Sequence, residues 1–179
     1  MPTTNICLTT PSGVFNYRVG AIIQQDNKLM MVKNSGSDFY YTVGGRVQFG
    51  ETTQEAIHRE AKEELSIPLE IERLAFIHEN FFTFEPEHVP CHELCYYFIT
   101  KPHEGLNAVA KSFNEAYGEV TIHWLPMDKL DKFTLYPEFF RTHLQNPQPH
   151  IQHFVTRNDV TAGGIWQLSK LTQDETQTE

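Results

Sequence analysis

A chain of 179 residues, 40% hydrophobic and 21% charged, is long enough to bury a core of its own and too apolar for a disordered or low-complexity polymer. Its formal net charge of −9 works against a grip on polymeric nucleic acid, because duplex binding depends on Lys and Arg neutralising phosphates. That charge leaves open a small phosphorylated ligand bridged to carboxylates by a divalent cation.

Residues 1–17 show no basic start followed by an apolar core, so no secretory signal is expected. Nor does any apolar run approach the ~18 residues of a membrane span. Residues 17–24 read as a strand, residues 25–27 as a polar turn, and residues 28–33 as the returning strand of a hairpin. A Ser/Gly loop follows, then a short aromatic strand over residues 39–43 that ends at Gly44-Gly45. The sequence Thr52-Thr53-Gln54-Glu55 has the form of a capping box, predicting a helix over Thr53–Leu65 that Pro68 closes from outside.

Residues 70–84 and 93–100 read as a second strand pair joined by the Pro-containing loop 85–92. Residues 101–118 are polar and irregular, 119–126 are a further strand, 136–144 a second helix and 150–156 a last strand. No repeat or linker divides the chain, so a single domain is expected over residues 1–171, with 172–179 a frayed acidic tail. The order of elements predicts an α/β (α+β) fold in which a mixed β-sheet lies between helices. Three cysteines, Cys7, Cys91 and Cys95, are too few and odd in number for a disulfide framework, which points to a reducing, cytoplasmic setting.

The informative stretch is residues 45–67. On a helix at about 100° per residue, with Glu60 at the origin, Glu63 falls near −60° and Glu64 near +40°, so three carboxylates share roughly a 100° sector. Ile57, Ala61 and Leu65 form an adjacent apolar stripe for packing. Such crowding costs free energy by repulsion unless a cation compensates it, and hard divalent cations prefer oxygen ligands. Arg59 stands one turn before Glu63, and Glu51 lies just ahead of the helix within reach of Arg59. The Gly44-Gly45 pair lets backbone pass close to this face. A solvated acidic helix is the ordinary reading of such a run, and the glycines and fixed spacing are what weigh against it here.

This stretch resembles the Nudix box, a glycine, five residues, Glu, seven residues, Arg-Glu, an apolar residue, any residue, Glu-Glu, any residue, Gly and a final apolar residue. Here Gly45, Glu51, Arg59-Glu60, Ala61, Glu63-Glu64, Ser66 and Ile67 stand at those places. Ala61 is smaller than usual, and Ser66 replaces the glycine that normally ends the helix. The strand before Gly45, the strand 94–99 and Trp124-Leu125-Pro126 extend the resemblance over most of residues 17–144.

The resemblance implies a Nudix-like α/β/α sandwich and hydrolysis of a nucleoside diphosphate linked to another group, with water displacing a phosphate-containing leaving group. It implies Mg2+ or Mn2+ held by Glu60, Glu63, Glu64 and the Gly45 carbonyl, with Arg59 and Glu51 in support. The general base is either a glutamate of the box or a distal one, for which Glu115 and Glu119 are the candidates; Glu119 is also a candidate metal ligand. Arg18 and Arg46 are candidates for a phosphate. Phe39, Tyr40, Tyr41, Phe81, Phe82 and Phe84 supply either a stacking face, Phe82 foremost, or core packing. His92-Glu93 faces the cleft or serves the structure.

The expected partner is a small nucleotide-like substrate, with no membrane and no polymeric nucleic acid, and a homodimer is common in the family. Markers of substrate class are not cleanly present, since Pro86 falls slightly late for an ADP-ribose enzyme. Nucleoside triphosphates, nucleotide sugars and dinucleotides stay open. The alternative is a catalytically silent Nudix-like sensor that binds a nucleotide, although such modules tend to have eroded carboxylates. A zinc site from His88, Cys91, His92 and Cys95 fits no usual ligand spacing.

Overall fold

Strand β2 (Gly13–Gln25) is the spine of the molecule because it is buried on both faces. Val19, Ala21 and Ile23 enter one core and Ile22 the other, so the strand reads as a nearly continuous apolar run, as strands covered on both sides do. The computed structural model describes residues 4–35, 37–84, 89–108, 112–115, 118–160 and 166–169. Their elements are β1 (Cys7–Thr10), β2, β3 (Lys28–Asn34), α1 (Thr53–Leu65), β4 (Ile71–Phe84), β5 (Val89–Thr100), β6 (Ser112–Glu115), β7 (Gly118–Pro126), α2 (Phe140–His143), β8 (Gln152–Val160) and β9 (Trp166–Ser169). Tight 3-10 turns lie at Glu104–Ala108 and Met127–Lys132.

The strands form one mixed sheet in the order β6-β7-β3-β2-β5-β4-β8-β9, with β1 against the start of β2. The β2–β5 and β4–β8 pairs are parallel and the other pairs antiparallel. α1 covers one face through Ala56, Ile57, Ala61 and Leu65 against Val19, Ala21, Val43 and Phe98. The other face is covered by the turn at Met127–Lys132 and by α2, where Leu130, Phe139, Phe140 and Leu144 pack on Phe76, Tyr97 and Phe154. The architecture is therefore the α/β/α sandwich expected from the element order. Among the described residues no helix is long and apolar enough to cross a membrane.

The β2–β3 hairpin turns through Asp26 and Asn27, both at positive φ, as a two-residue turn matched to strand twist requires. Towards its middle β2 parts from β3, and residues 43–47 fill the gap. Ala21 N–H donates to Val43 O at 2.8 Å, Val19 N–H to Gly45 O at 2.9 Å, and Val47 N–H to Tyr17 O at 3.0 Å. The aromatic stretch 39–43 is accordingly no full strand. It crosses from β3 to β2, touching Val32 through Tyr41 and Leu135 through Tyr40 as single bridges.

Other boundaries moved for identifiable reasons. β5 begins at Val89, so part of the expected loop 85–92 is strand. The polar stretch 101–118 contains a 3-10 turn and β6, which pairs with β7. The expected helix over 136–144 contracts to the single turn of α2. Before it Phe140 N–H bonds to Pro137 O and Arg141 N–H to Glu138 O, three-residue steps that tighten the chain. Phe139, Phe140 and Leu144 are all buried, and this short, tight turn is enough to seat them in the second core. The expected tail 172–179 lies outside the described residues.

α1 has the ends its sequence promised and one that it did not. Thr52 Oγ1 accepts from Glu55 N–H at 3.2 Å, and the Glu55 carboxylate accepts from Thr52 N–H at 2.7 Å, a complete capping box. At the other end Ser66 sits at φ 59°, ψ 20°, in the left-handed conformation that glycine adopts without strain, while its N–H bonds to Lys62 O at 3.1 Å. Chemical denaturation is expected to show Thr52→Ala destabilised by about 1 kcal/mol. Ser66→Gly should be stabilised by about 0.5 kcal/mol, relief of the left-handed strain outweighing the greater freedom of the unfolded chain. A destabilised Ser66→Gly would show that the serine side chain holds this end.

Candidate active site

The carboxylate face of α1 lies against residues 44–46. Gly45 makes this approach possible, because a Cβ built there would land inside the Glu60 carboxyl group. Gly44 adopts φ 142°, and a side chain on it would strike the Val19 carbonyl across the strand. Its N–H instead points to Glu64 Oε2 at 3.4 Å. The helix and the extended segment 43–47 meet here with only main chain between them.

Arg59 gathers the acids. Its Nη2 donates to Glu51 Oε1 at 2.8 Å and to the Arg46 carbonyl at 2.9 Å, and its Nε to Glu51 Oε2 at 3.2 Å. Its Nη1 donates to Glu60 Oε1 at 2.7 Å and, one turn on, to Glu63 Oε2 at 3.3 Å. Glu51 also accepts from Gln48 N–H at 2.6 Å, which ties the loop before the helix to the cluster. One guanidinium thus compensates three carboxylates while holding the Arg46 backbone, and this geometry suits the five donors of Arg and not a Lys.

The electrostatics separate these acids. Burial alone would raise the Glu51 pKa, but the hydrogen bonds from Arg59 and from Gln48 N–H hold it below the usual glutamate range. Glu60 goes the other way: burial raises it, and the nearby Glu63 charge adds to that, even though Arg59 and Arg18 oppose them. Glu63 is mostly exposed. Among the described residues, no three His, Cys, Asp or Glu side chains stand in a ready-made metal cage. The set nevertheless fits a hard divalent cation. Its donors are all oxygen, a side chain at Gly45 would fill the cradle, and Glu60 is a partly buried carboxylate whose pKa burial raises in spite of Arg59.

The Gly45 carbonyl already accepts the Val19 N–H and keeps a second lone pair. Arg18 and Arg46 pair across the strands as an isolated bridge, on the sheet face away from α1. Arg46 Nε donates to Asn16 Oδ1 at 2.8 Å, and Arg18 Nη1 lies 3.9 Å from Glu93 Oε2. The Arg18 charge still reaches Glu60, so it stands close to the carboxylates although its strand carries it on the opposite face. Phe82, half-buried, continues the face of His78 and Asn80 on β4 and so shares the arginines' side of the sheet.

Other sequence candidates fall elsewhere. Phe81 lies on the helix side, stacked on His92 at 4.2 Å with the Arg157 guanidinium 3.9 Å above its ring. Tyr40 and Tyr41 pack against the two cores, whereas Phe39 is exposed. Glu119 is exposed at the start of β7, and among the described residues no hydrogen bond or ion pair joins it to the carboxylates of α1. Glu115 ends β6, and its side chain lies outside the described residues, as do the Phe84 side chain and all of Pro86 and His88. Cys91 and Cys95 are buried on the arginines' face while His92 points to the other, so strand alternation splits the zinc constellation.

Sequence reasoning left the role of Glu93 open and did not single out Asn16, Asn80 or Tyr136. All three surround Glu93 in the fold: Asn16 Nδ2 donates to Glu93 Oε2 at 2.8 Å, Tyr136 Oη to Glu93 Oε1 at 2.8 Å, and Asn80 Nδ2 to Tyr136 Oη at 2.6 Å. The available signal was an Asn and a Glu placed within apolar strands. A shallow groove lined by Gln54, His58, Leu69 and Arg73 lies on the flank of α1 opposite the carboxylates and contains none of these groups.

Comparison with known proteins places the chain in a family. The NUDIX domain model matches residues 14–146. A solved mutator MutT protein from Bacillus halodurans superposes with a TM-score of 0.69 at 16% identity, covering 88% of this chain and 96% of that one. A MutT protein from Methanosarcina mazei gives 0.51 at 18% identity, over 73% and 94% of the two chains. These two likenesses are of fold. An ADP-ribose pyrophosphatase from Methanocaldococcus jannaschii is 34% identical over 65 residues, a match spanning 35% of this chain and 38% of that relative.

The Arg59 hub makes a direct prediction. Removing one partner of a mostly buried ion cluster leaves the others uncompensated, so Arg59→Ala should lose about 3 kcal/mol of stability near neutral pH. In the native protein the low Glu51 pKa contributes stability above the unfolded value that is lost as pH falls through the folded one. The deficit of the variant should therefore shrink on acidification through the carboxylate range. Urea unfolding of both proteins from neutral to mildly acid pH measures it, and a deficit independent of pH would contradict the electrostatic account.

Proposed function

The chain belongs to the Nudix family, and from that premise we infer that it is a pyrophosphohydrolase that cleaves a nucleoside diphosphate derivative with the help of Mg2+ or Mn2+. The observation that carries this reading is the intact carboxylate face of α1, drawn onto the bare backbone of Gly44 and Gly45 by Arg59. In this reading Glu60, Glu63 and Glu64 hold the cation with the Gly45 carbonyl, and Glu119 is a further candidate ligand. The bound cation supplies charge neutralisation at the nonbridging phosphate oxygens and lowers the pKa of the attacking water.

The chain's own groups do the rest. Arg59 keeps Glu60 and Glu63 from splaying apart, and Glu51 fixes Arg59 from the loop before the helix. Arg18 and Arg46 offer guanidinium donors to the phosphate oxygens from the other side of the extended segment 43–47, and Phe82 stands on that side to cover the remainder of the substrate. The proton leaving the water goes to a carboxylate, either one of the helix face or Glu115 or Glu119 from the β6–β7 edge. A net charge of −9 and unpaired cysteines suit a small anionic substrate met through a cation in a reducing, cytoplasmic setting.

Turnover of a panel of nucleoside diphosphate derivatives, with and without Mg2+ or Mn2+, tests this reading. The name of the archaeal relative puts ADP-ribose first in that panel. Several kcal/mol of transition-state charge stabilisation depend on a metal ligand, so Glu63→Gln and Glu64→Gln should each lose on the order of a hundredfold or more in kcat. Both should remain folded, and Mn2+ should raise the melting temperature of the native protein more than theirs. Full activity in both variants would sink the proposal. A folded protein that binds a nucleotide but turns over none of the panel would be a sensor instead.

A further inference from the structure

Glu93 is a buried carboxylate outside the acidic face of α1, with a side chain only 5% exposed. Taking such a charge out of water costs several kcal/mol, and an apolar residue of similar volume usually serves a core at least as well. Its burial among polar partners therefore calls for an explanation other than stability. Asn16 on β2 and Tyr136 ahead of α2 bond to Glu93 directly, Arg18 on β2 stands 3.9 Å away, and Asn80 on β4 and Arg46 beside β2 join the network through Tyr136 and Asn16.

The chain of bonds has a direction. Asn80 donates to Tyr136, Tyr136 to Glu93, and Asn16 to the other oxygen of Glu93. With its amide so held, Asn16 presents Oδ1 to Arg46 Nε at 2.8 Å. Arg46 is pinned at both ends, since its carbonyl accepts from Arg59 Nη2 at 2.9 Å. Only Nε is spent on Asn16, which fixes the guanidinium plane and leaves the terminal nitrogens to point elsewhere. Arg18 is held more loosely: its Nη1 lies 3.9 Å from Glu93, beyond a direct hydrogen bond but well within Coulomb range, and its charge is felt at Glu60.

We propose that Glu93 is a positioning residue that sets both arginines, Arg46 through Asn16 and Arg18 by direct attraction, so that they meet the substrate's phosphate oxygens. This rests on the hydrolase reading above and deepens it. Two guanidinia and one carboxylate leave that side of residues 43–47 with a net positive charge, opposite in sign to the helix face.

The test is steady-state kinetics with whichever panel compound the native enzyme turns over, using Glu93→Gln, Arg18→Gln and the double variant. Glu93→Gln keeps the shape and removes the charge, so KM should rise about tenfold with kcat changed less than about threefold. Because the effect passes in part through Arg18, the double variant should raise KM by less than the product of the single effects. If Glu93→Gln does not fold, Tyr136→Phe removes one hydrogen bond to Glu93 and should raise KM severalfold without moving kcat. An unchanged KM in the folded variant, or fully multiplicative effects, would overturn the proposal while leaving the hydrolase reading intact. A native enzyme inert towards the whole panel would overturn both.

Discussion

How closely α1 can approach the extended segment at residues 43–47 governs the rest of the arrangement. A helix bearing Glu60, Glu63 and Glu64 on one sector would be pushed away from any surface that added to its charge or displaced its carboxylates. Gly45 removes the steric obstacle, Gly44 provides a conformation and an N–H that suit the contact, and Arg59 removes most of the electrostatic penalty. Burial of Ile57, Ala61 and Leu65 supplies the attraction that holds the helix down. The apolar and acidic stripes of α1 are thus interdependent, because packing the first forces the second into contact with main chain.

That contact depends in turn on β2. By pairing in parallel with β5 on one side and parting from β3 on the other, β2 opens a slot that residues 43–47 enter. The inserted extended segment is a partition between two chemically different spaces. On the helix side lie carboxylates and one arginine, and on the other side lie Arg18 and Arg46 with the polar network around Glu93. Alternation along an extended chain places successive side chains on opposite faces, so Gly45 and Arg46 serve opposite sides of the same partition. Arg59 crosses it by binding the Arg46 carbonyl, which couples the two spaces through a main-chain group.

The buried polar groups of the second space differ in kind from the apolar core beneath them. Phe76, Phe139, Phe140 and Phe154 pack edge-on and stacked around Tyr97, as expected of a core filled by large rings. Burial pushes the Cys95 thiol up to about 12, so this cysteine behaves as a small apolar filler. His78, in the same layer, is lowered to about 3 by burial and stays neutral, hydrogen-bonded to Thr156 at 2.9 Å. Arg18, Arg46 and Glu93 stand beside this layer, with Asn16 and Tyr136 bonding Glu93.

The sequence by itself determined α1, its capping box, its apolar stripe and the three-carboxylate sector, because all of these are local consequences of a 3.6-residue repeat and a short hydrogen-bonding reach. It also determined the hairpin of β2 and β3 and the order of the main strands, since alternation and turn residues report directly on them. Residues 39–43 and 136–144 misled because their geometry is decided by what they cross and what they fill: a bridge between strands in one case, a tight turn seated in the aromatic core in the other. Tertiary structure alone decided that Arg18 and Arg46 stand on the far side of residues 43–47 from the carboxylates, and that it is Phe82 rather than Phe81 that shares their face. It alone brought Asn16, Asn80 and Tyr136 to Glu93, since hydrogen bonds between residues 43 to 77 positions apart leave no periodic trace in a single chain.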